Sequence, residues 1–358
     1  MEPEPEMREI RVVGFLGVSD YGLGQLETLI KRYTVAFATA KKKHTAHASG
    51  LDTKLEEKLC MVNRIPYLGS VDANSAELVA RAGETDLVVI GGYDGILKKP
   101  FLEAPRHGVI NTHLGLLPLN RGCCPTLWAQ LHGLPQGYTT YLVGEAIDHG
   151  PSLDRYEAPA SLGALRDDNR RVYDALAEAA VGRFAAALKR LESGKALKPC
   201  SGPEAYHKKG MPNDGWLSFF WTDEFLLRFS LALDFAPYLP GRTRQEHGDE
   251  IFLAILSSEA EPVPAAPAVV PGTVLEVIGQ DDLTVKTTEA AVRCRLRKGP
   301  MPELGSVLAS GRPESDAEGG CAHPIDADFS GKELPLHRYI ISEVTAGKKT
   351  VRPARGAI

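Results

Sequence analysis

The chain of 358 residues has few cysteines for its length, six in all. No two stand in a C-x-x-C pair, so zinc ribbons and redox dithiols are disfavoured. Cys123 and Cys124 are adjacent and read as small packing residues. No Asn-X-Ser/Thr sequon occurs, and no apolar run reaches the length needed to span a bilayer. The N-terminal MEPEPEMREIRVV is acidic and lacks the basic start of a signal peptide. Together these absences point to a reducing cytoplasm. Excess positive charge is also missing: 41 Lys+Arg stand against 46 Asp+Glu, a net charge of -5. Residues 201–358 carry 17 basic and 22 acidic residues, so the second half is no clamp for a polyanion. A P-loop is absent, and in the Gly-rich stretch after the first strand Glu27 stands where the third glycine of G-x-G-x-x-G belongs, after Gly22 and Gly24.

What is present alternates. IRVVGFLGV (10–18), VAFATA (35–40), IPYLG, DLVVIGGY (86–93) and GVINTHLG (108–115) read as buried strands. Between them lie helical patterns, with Leu23, Leu26, Leu29 and Ile30 on one face and Leu55, Leu59 and Val62 on another. Strand–helix alternation of this kind predicts a Rossmann-like α/β fold, a parallel sheet with helices on both faces. TLWAQLHG (126–133) reads as a short helix and TTYLVGEAI (139–147) as a strand running into a loop. The longest helix signal runs from Asp168 to Leu191, with Val172, Leu176, Ala180 and Phe184 at four-residue spacing and Gly194 as its stop. After about residue 205 the texture changes to one helix over 223–234, short strands and a Pro-rich loop (Pro262, Pro264, Pro267, Pro271). The expected organisation is a catalytic domain over 1–204, a smaller, mostly β, open barrel-like domain over 205–311, and a tail over 312–358 with little order outside LHRYIISEV.

The strongest chemical signal is VINTHLGLLPLNRGCCPTLWAQLHG followed by YLVGEAIDHGP. Residues i and i+2 of a strand share a face. Asn111 and His113 therefore point together from the carboxyl end of a sheet strand, where such folds bind ligands. Asn offers a neutral N–H to a developing oxyanion, and a protonated His stabilises charge. Pro118 and Arg121-Gly122 turn the chain. Asp148, at the end of the next strand-like segment, would orient His113 and accept a proton from an attacking nucleophile. The plain alternative is that Asn111 and Asp148 are turn formers and His113 a satisfied core histidine. His44 and His47 lack a carboxylate or cysteine to complete a metal site, so no metal is expected. Lys41 to Lys43 read as a solvated run, and Phe219, Phe220 and Trp221 as core.

The ordered pattern of Asn111, His113, Leu116-Leu117-Pro118, Arg121-Gly122, Pro125, Trp128-Ala129, Asp148 and Gly150 resembles the folate-dependent formyltransferases, a family acting on glycinamide ribonucleotide, methionyl-tRNA, sugar nucleotides and hydroxyornithine. The resemblance covers about residues 10–200, and the stretch from Tyr206 to Gly241 is similar to the linker and first helix of the C-terminal domain in members that carry one. Leu114-Gly115 replace the usual Pro-Ser, Asn120 replaces an aromatic, and the turn before the last strand (LPQG) is one residue short. By resemblance, Asn111, His113 and Asp148 are catalytic and the donor is 10-formyltetrahydrofolate. Its pterin would be held largely through backbone groups by Gly91, Gly92, Tyr93, Gly95, Ile96, Leu116, Leu117, Val143, Gly144 and Glu145. The glycines suit close backbone approach or, equally, a simple turn. The acidic second half favours a small-molecule amine as acceptor, an amino-sugar nucleotide or a hydroxyornithine-type precursor, over methionyl-tRNA. A non-catalytic folate- or nucleotide-binding protein is the alternative of another class. No membrane partner is expected, and a homodimer is left open.

Overall fold

Strand β4 (Leu87–Ile90) sends alternate side chains to two different cores. Leu87 and Val89 join Val13 and Phe15 of β1 (Val12–Leu16) against Leu26 and Leu29 of helix α1 (Asp20–Ile30) and Phe184, Leu188 and Leu191 of α6 (Asn169–Glu192). Val88 and Ile90 join Leu16 and Phe37 against Leu78 and Ala82 of α3 (Ala76–Gly83) and Phe101 of α4 (Lys99–Leu102). A strand covered on both faces reads as a continuous apolar run, and LVVI is one. The computed structural model describes residues 7–17, 19–40, 53–93, 95–164, 167–207, 211–235, 241–259 and 269–310. The Lys41–Lys43 run, His44, His47, Pro262, Pro264, Pro267 and the 312–358 tail lie outside the described residues.

The chain forms two compact units. One comprises 1–122, 136–158 and 173–205; the other comprises 123–135, 159–172 and 206–358. The first holds an eight-stranded sheet in the order β3-β2-β1-β4-β5-β7-β8-β9. Here β2 is Thr34–Ala40, β3 Tyr67–Ser70, β5 Val109–His113, β7 Gly137–Leu142, β8 Pro151–Glu157 and β9 Lys198–Pro199; β6 (Arg121–Gly122) lies outside this sheet. Strands β1 to β5 pair in parallel. The sequence reading of a parallel sheet needs correcting beyond them: β7 runs antiparallel to β5, and β8 and β9 continue antiparallel. The physical reason is connectivity. Between β7 and β8 lies only the loop 143–150, too short for the crossover a parallel strand requires. Strand β8 itself is not anticipated from the sequence, because its burial is irregular.

One helix departs from its expected stripe and one keeps it. In α2 (Thr53–Val62) Leu59 packs half-buried against the core as expected, but Leu55 and Val62 are exposed and Glu56 and Cys60 are buried in their place, so the inward stripe is rotated. In α6 Val172, Leu176, Ala180 and Phe184 are all buried, and Gly194 adopts φ 65° just beyond the helix end.

The second unit holds a five-stranded antiparallel sheet in the order β11-β12-β15-β14-β13. These strands are β11 Gly241–Arg244, β12 Glu250–Glu259, β13 Val274–Ile278, β14 Asp282–Lys286 and β15 Ala291–Lys298; β10 (Tyr206–His207) precedes them in the chain. Its core gathers Phe219, Trp221, Leu226 and Phe229 with Ile251, Leu253, Leu283, Val292 and Cys294. Helix α7 (Asp223–Leu233) supplies two of these, and α5 (Pro125–Leu131) adds Leu127, Trp128 and Leu131 to the same cluster. Phe220 is exposed, unlike its neighbours Phe219 and Trp221, so only two of those three aromatics are core. Cys123 and Cys124 are also exposed rather than packed. They precede α5, with Cys124 at φ 53° as its N-cap residue, a turn position rather than a core one.

Candidate active site

The first unit's sheet reverses its strand order between β1 and β4, which opens a crevice beyond the carboxyl ends of the strands. Strand β5 ends there. Its Asn111 lies directly opposite Tyr141 of β7, and His113 opposite Thr139, so all four side chains leave the same face. Thr139 fixes the turn that follows His113: its hydroxyl donates to the Gly115 carbonyl at 2.9 Å and accepts from the Leu117 N–H at 3.1 Å.

Asp148 comes to the same place on the β7–β8 loop. Its backbone sits at φ 48°, a left-handed conformation that Asp tolerates better than most residues. One carboxylate oxygen accepts the Gly122 backbone N–H at 2.7 Å and the other accepts the Tyr141 hydroxyl at 3.0 Å. Tyr141 in turn accepts from the Asn111 amide nitrogen at 3.2 Å. The imidazole of His113 approaches from the far side, with Nδ1 3.8 Å from Asp148 Oδ2. Its Nε2 lies 2.7 Å from the Asn120 carbonyl, which can only accept, so Nε2 carries a proton and Nδ1 faces the carboxylate. His113 and Asp148 keep 8% and 13% of their side-chain surface exposed. Burial pushes the Tyr141 hydroxyl well above its usual range, and the nearby Asp148 charge pushes it further; it stays protonated and donates. Asn111, His113 and Asp148, far apart in the chain, thus converge on one rim.

Arg121, which the sequence offers as a turn residue and as part of the family-like pattern, also holds the site together. It is 5% exposed and donates twice to the Ile147 carbonyl, from Nε at 2.9 Å and Nη2 at 2.6 Å, while Nη1 pairs with Glu204. Arg121-Gly122 therefore grips the Ile147-Asp148 segment through both a guanidinium and a backbone N–H.

The residues singled out for a folate fall into three kinds. Tyr93, Gly95 and Ile96 follow β4, and Val143, Gly144 and Glu145 follow β7. Lys99 of α4 makes a 2.6 Å ion pair with the exposed Glu145. Ile96 is 69% exposed, an apolar side chain offered to solvent beside them. The Gly144 N–H donates to the His149 carbonyl at 2.7 Å, closing the loop on itself. Leu116 and Leu117, by contrast, are buried, so only their backbone is available to a ligand. Gly91 and Gly92 have an internal reason to be glycine. A Cβ on Gly91 would lie 2.7 Å from Gly22 Cα, and one on Gly92 2.6 Å from Ser19 Cβ. Ser19 caps α1 there, accepting from the Gly22 N–H and donating to the Gly91 carbonyl, both at 2.9 Å.

Residues 35–188 match the family model described as formyl transferase. Over that stretch, a little under half of its length, the chain is similar to the formyl transferase family. Among its relatives, the methionyl-tRNA formyltransferase of Legionella pneumophila is 26% identical over 300 residues, which cover 82% of this chain and 93% of that one. The methionyl-tRNA formyltransferase of Trichlorobacter lovleyi is 27% identical over 188 residues, 51% of this chain and 58% of its own length. The chain thus spans little more than half of some of the curated relatives it matches. A solved N-formyltransferase from Helicobacter canadensis, in complex with folinic acid and dTDP-3-aminofucose, superposes with a TM-score of 0.60 at 14% identity, covering 80% of this chain and 99% of that one. At that identity the likeness is one of fold. No described helix is long and apolar enough to cross a membrane, and no group of His, Cys, Asp and Glu among the described residues could hold a metal ion.

Proposed function

We propose that this protein transfers a formyl group from 10-formyltetrahydrofolate to the amine of a small molecule. The observation that carries the reading is the Asn111–Tyr141–Asp148–His113 cluster at the carboxyl rim of β5, inside the region that matches the family. The site suits a folate donor. The loop residues Tyr93, Gly95 and Ile96 and the loop 143–145, whose Glu145 pairs with Lys99 of α4, present Ile96 and backbone groups, the mixture a flat, polar-edged ring requires. When bound, the folate supplies a formyl carbon on nitrogen. The chain's own groups do the rest. Asn111 donates its free amide N–H to the formyl oxygen as charge develops there, and a protonated His113 adds to that stabilisation. Asp148 holds His113 and takes the proton from the attacking amine, directly or through one water. A bond forms between amine nitrogen and formyl carbon, the bond from that carbon to the folate nitrogen breaks, and the proton ends on the departing nitrogen.

The small acceptor is favoured by charge in the second unit. Arg293 and Arg295 share Asp282, Arg297 pairs with Asp234 and Arg242 with Glu250, so four basic residues of the described sheet already have a carboxylate partner. A polyanion needs such cations unpaired. Methionyl-tRNA is the second reading, because the similar curated proteins bear that name. Incubation of the full chain with 10-formyltetrahydrofolate and a panel of amino-sugar nucleotides, hydroxyornithine and charged initiator tRNA tests both. Release of tetrahydrofolate with a small amine, surviving in high salt, supports the first. Steeply salt-sensitive turnover with tRNA alone supports the second. Folate binding without turnover on any acceptor would leave a pure binding protein.

A further inference from the structure

The cluster contains one polar group that the reaction as written does not use. Tyr141 is 1% exposed, lies across the β5–β7 ladder from Asn111, and bridges Asn111 and Asp148 through a single oxygen. The donor and acceptor inventory fixes the direction of both bonds. A carboxylate only accepts, so the one hydroxyl proton goes to Asp148. The phenol oxygen is then left to accept, so Asn111 must turn its NH2 end, not its carbonyl, toward Tyr141. The orientation of the amide, and with it the second N–H that Asn111 has to offer, is set by the Tyr141 hydroxyl proton, which goes to Asp148. The carboxylate is fixed as well: its two oxygens are held from two directions, by Tyr141 and by the Gly122 N–H.

Resting on the formyl-transfer reading, we propose that Tyr141 is a positioning residue whose hydroxyl sets the amide orientation of Asn111 and the carboxylate orientation of Asp148, and so governs turnover without touching either substrate. Because the group acts through its two neighbours, its removal lowers kcat and leaves the KM of both substrates nearly unchanged. Chains of hydrogen bonds of this kind are non-additive, and that non-additivity is a signature a packing role does not share.

The test is a double-mutant cycle on the full chain, with turnover normalised to folded protein by folate-binding stoichiometry. Tyr141→Phe is expected to lose about 10-fold in kcat with KM values within about two-fold, the size of effect that goes with one hydrogen bond to a charged group. In the Asp148→Asn background the same change should cost less than about two-fold, because the charged acceptor is gone. A merely structural tyrosine would lower the melting temperature and cost the same factor in both backgrounds; that result, or wild-type kcat in Tyr141→Phe, overturns the proposal. Should the phenylalanine variant not fold, 3,5-difluorotyrosine at position 141 keeps the ring and hydroxyl while strengthening the donor. At least about a two-fold change in kcat is then expected at constant KM, as a hydrogen-bond effect, and an unchanged kcat overturns the proposal. Absence of formyl transfer by the wild-type chain would instead remove the reaction on which the proposal stands.

Discussion

Arg121→Lys is the change that most sharply separates support of the site from the site itself. The guanidinium is 5% exposed and forks onto the Ile147 carbonyl at 2.9 and 2.6 Å, one residue before Asp148. Lysine keeps the charge but is a point donor on a flexible stem, so it cannot reproduce the fork and still reach Glu204. Hydrogen bonds to charged groups are worth about 1.5–3 kcal/mol, and two on one carbonyl do not add. The Glu204 carboxylate is 37% exposed, so its ion pair is screened and contributes at most about 1 kcal/mol. The expected loss is therefore about 2–3 kcal/mol of folding stability, read as a lower free energy of unfolding in urea. Turnover should fall more than stability suggests. Misplacing a reacting group by about 1 Å can cost on the order of 100-fold, and Asp148 is held by this segment. Urea unfolding and formyl-transfer kinetics on the same preparation check both numbers. A variant with stability within about 0.5 kcal/mol of wild type and unimpaired kcat would refute the anchoring role.

Two further changes address the frame around the site. Glu56 is buried on α2 with neither carboxylate oxygen hydrogen-bonded, and burial pushes it up to about 9 from its ordinary 4.5. Its folded-state value exceeds the unfolded one, so its contribution is fully present below about pH 4.5 and is lost as pH rises through about 9. Glu56→Gln should flatten this fall, gaining roughly 2 kcal/mol or more relative to wild type between pH 5 and 9; parallel urea midpoints across that range would contradict it. Gly150 closes the loop that carries Asp148, and a Cβ there would lie 1.8 Å from the Leu142 carbonyl oxygen. Gly150→Ala should lower kcat by at least about 10-fold through displacement of Asp148, and wild-type kinetics in that variant would show that the loop has room to adjust.

The legibility of this site in the sequence follows from which relations are local. Asn111 and His113 share a face because they are two residues apart in a strand, a relation visible without any partner strand. The strand–helix alternation likewise exposes the two-faced sheet, since LVVI and VVGFL carry no charged or polar side chain. Tyr141 was not legible. Its role depends on lying opposite Asn111, which requires the register of an antiparallel pair that alternation does not reveal. Strand β8 escaped for a related reason: it is partly exposed and its pattern PSLDRYE mixes charges into both faces. The inward stripe of α2 is not legible in the sequence, because Leu55 and Val62 are more apolar than Glu56 and a protonated buried carboxyl gives no sign in a hydrophobic pattern. Arg121 looked like turn chemistry, because its target is a backbone carbonyl and such acceptors leave no mark on a sequence.

The most direct measurement is single-turnover release of tetrahydrofolate from 10-formyltetrahydrofolate, with the best amine of the panel, for wild type, His113→Ala and Asp148→Asn. Asparagine tolerates the left-handed backbone at 148, so this substitution removes charge without straining the loop. Both variants should bind the folate, remain folded and turn over at least about 100-fold more slowly than wild type. Near-wild-type rates in either one would contradict the assignment of chemistry to this rim.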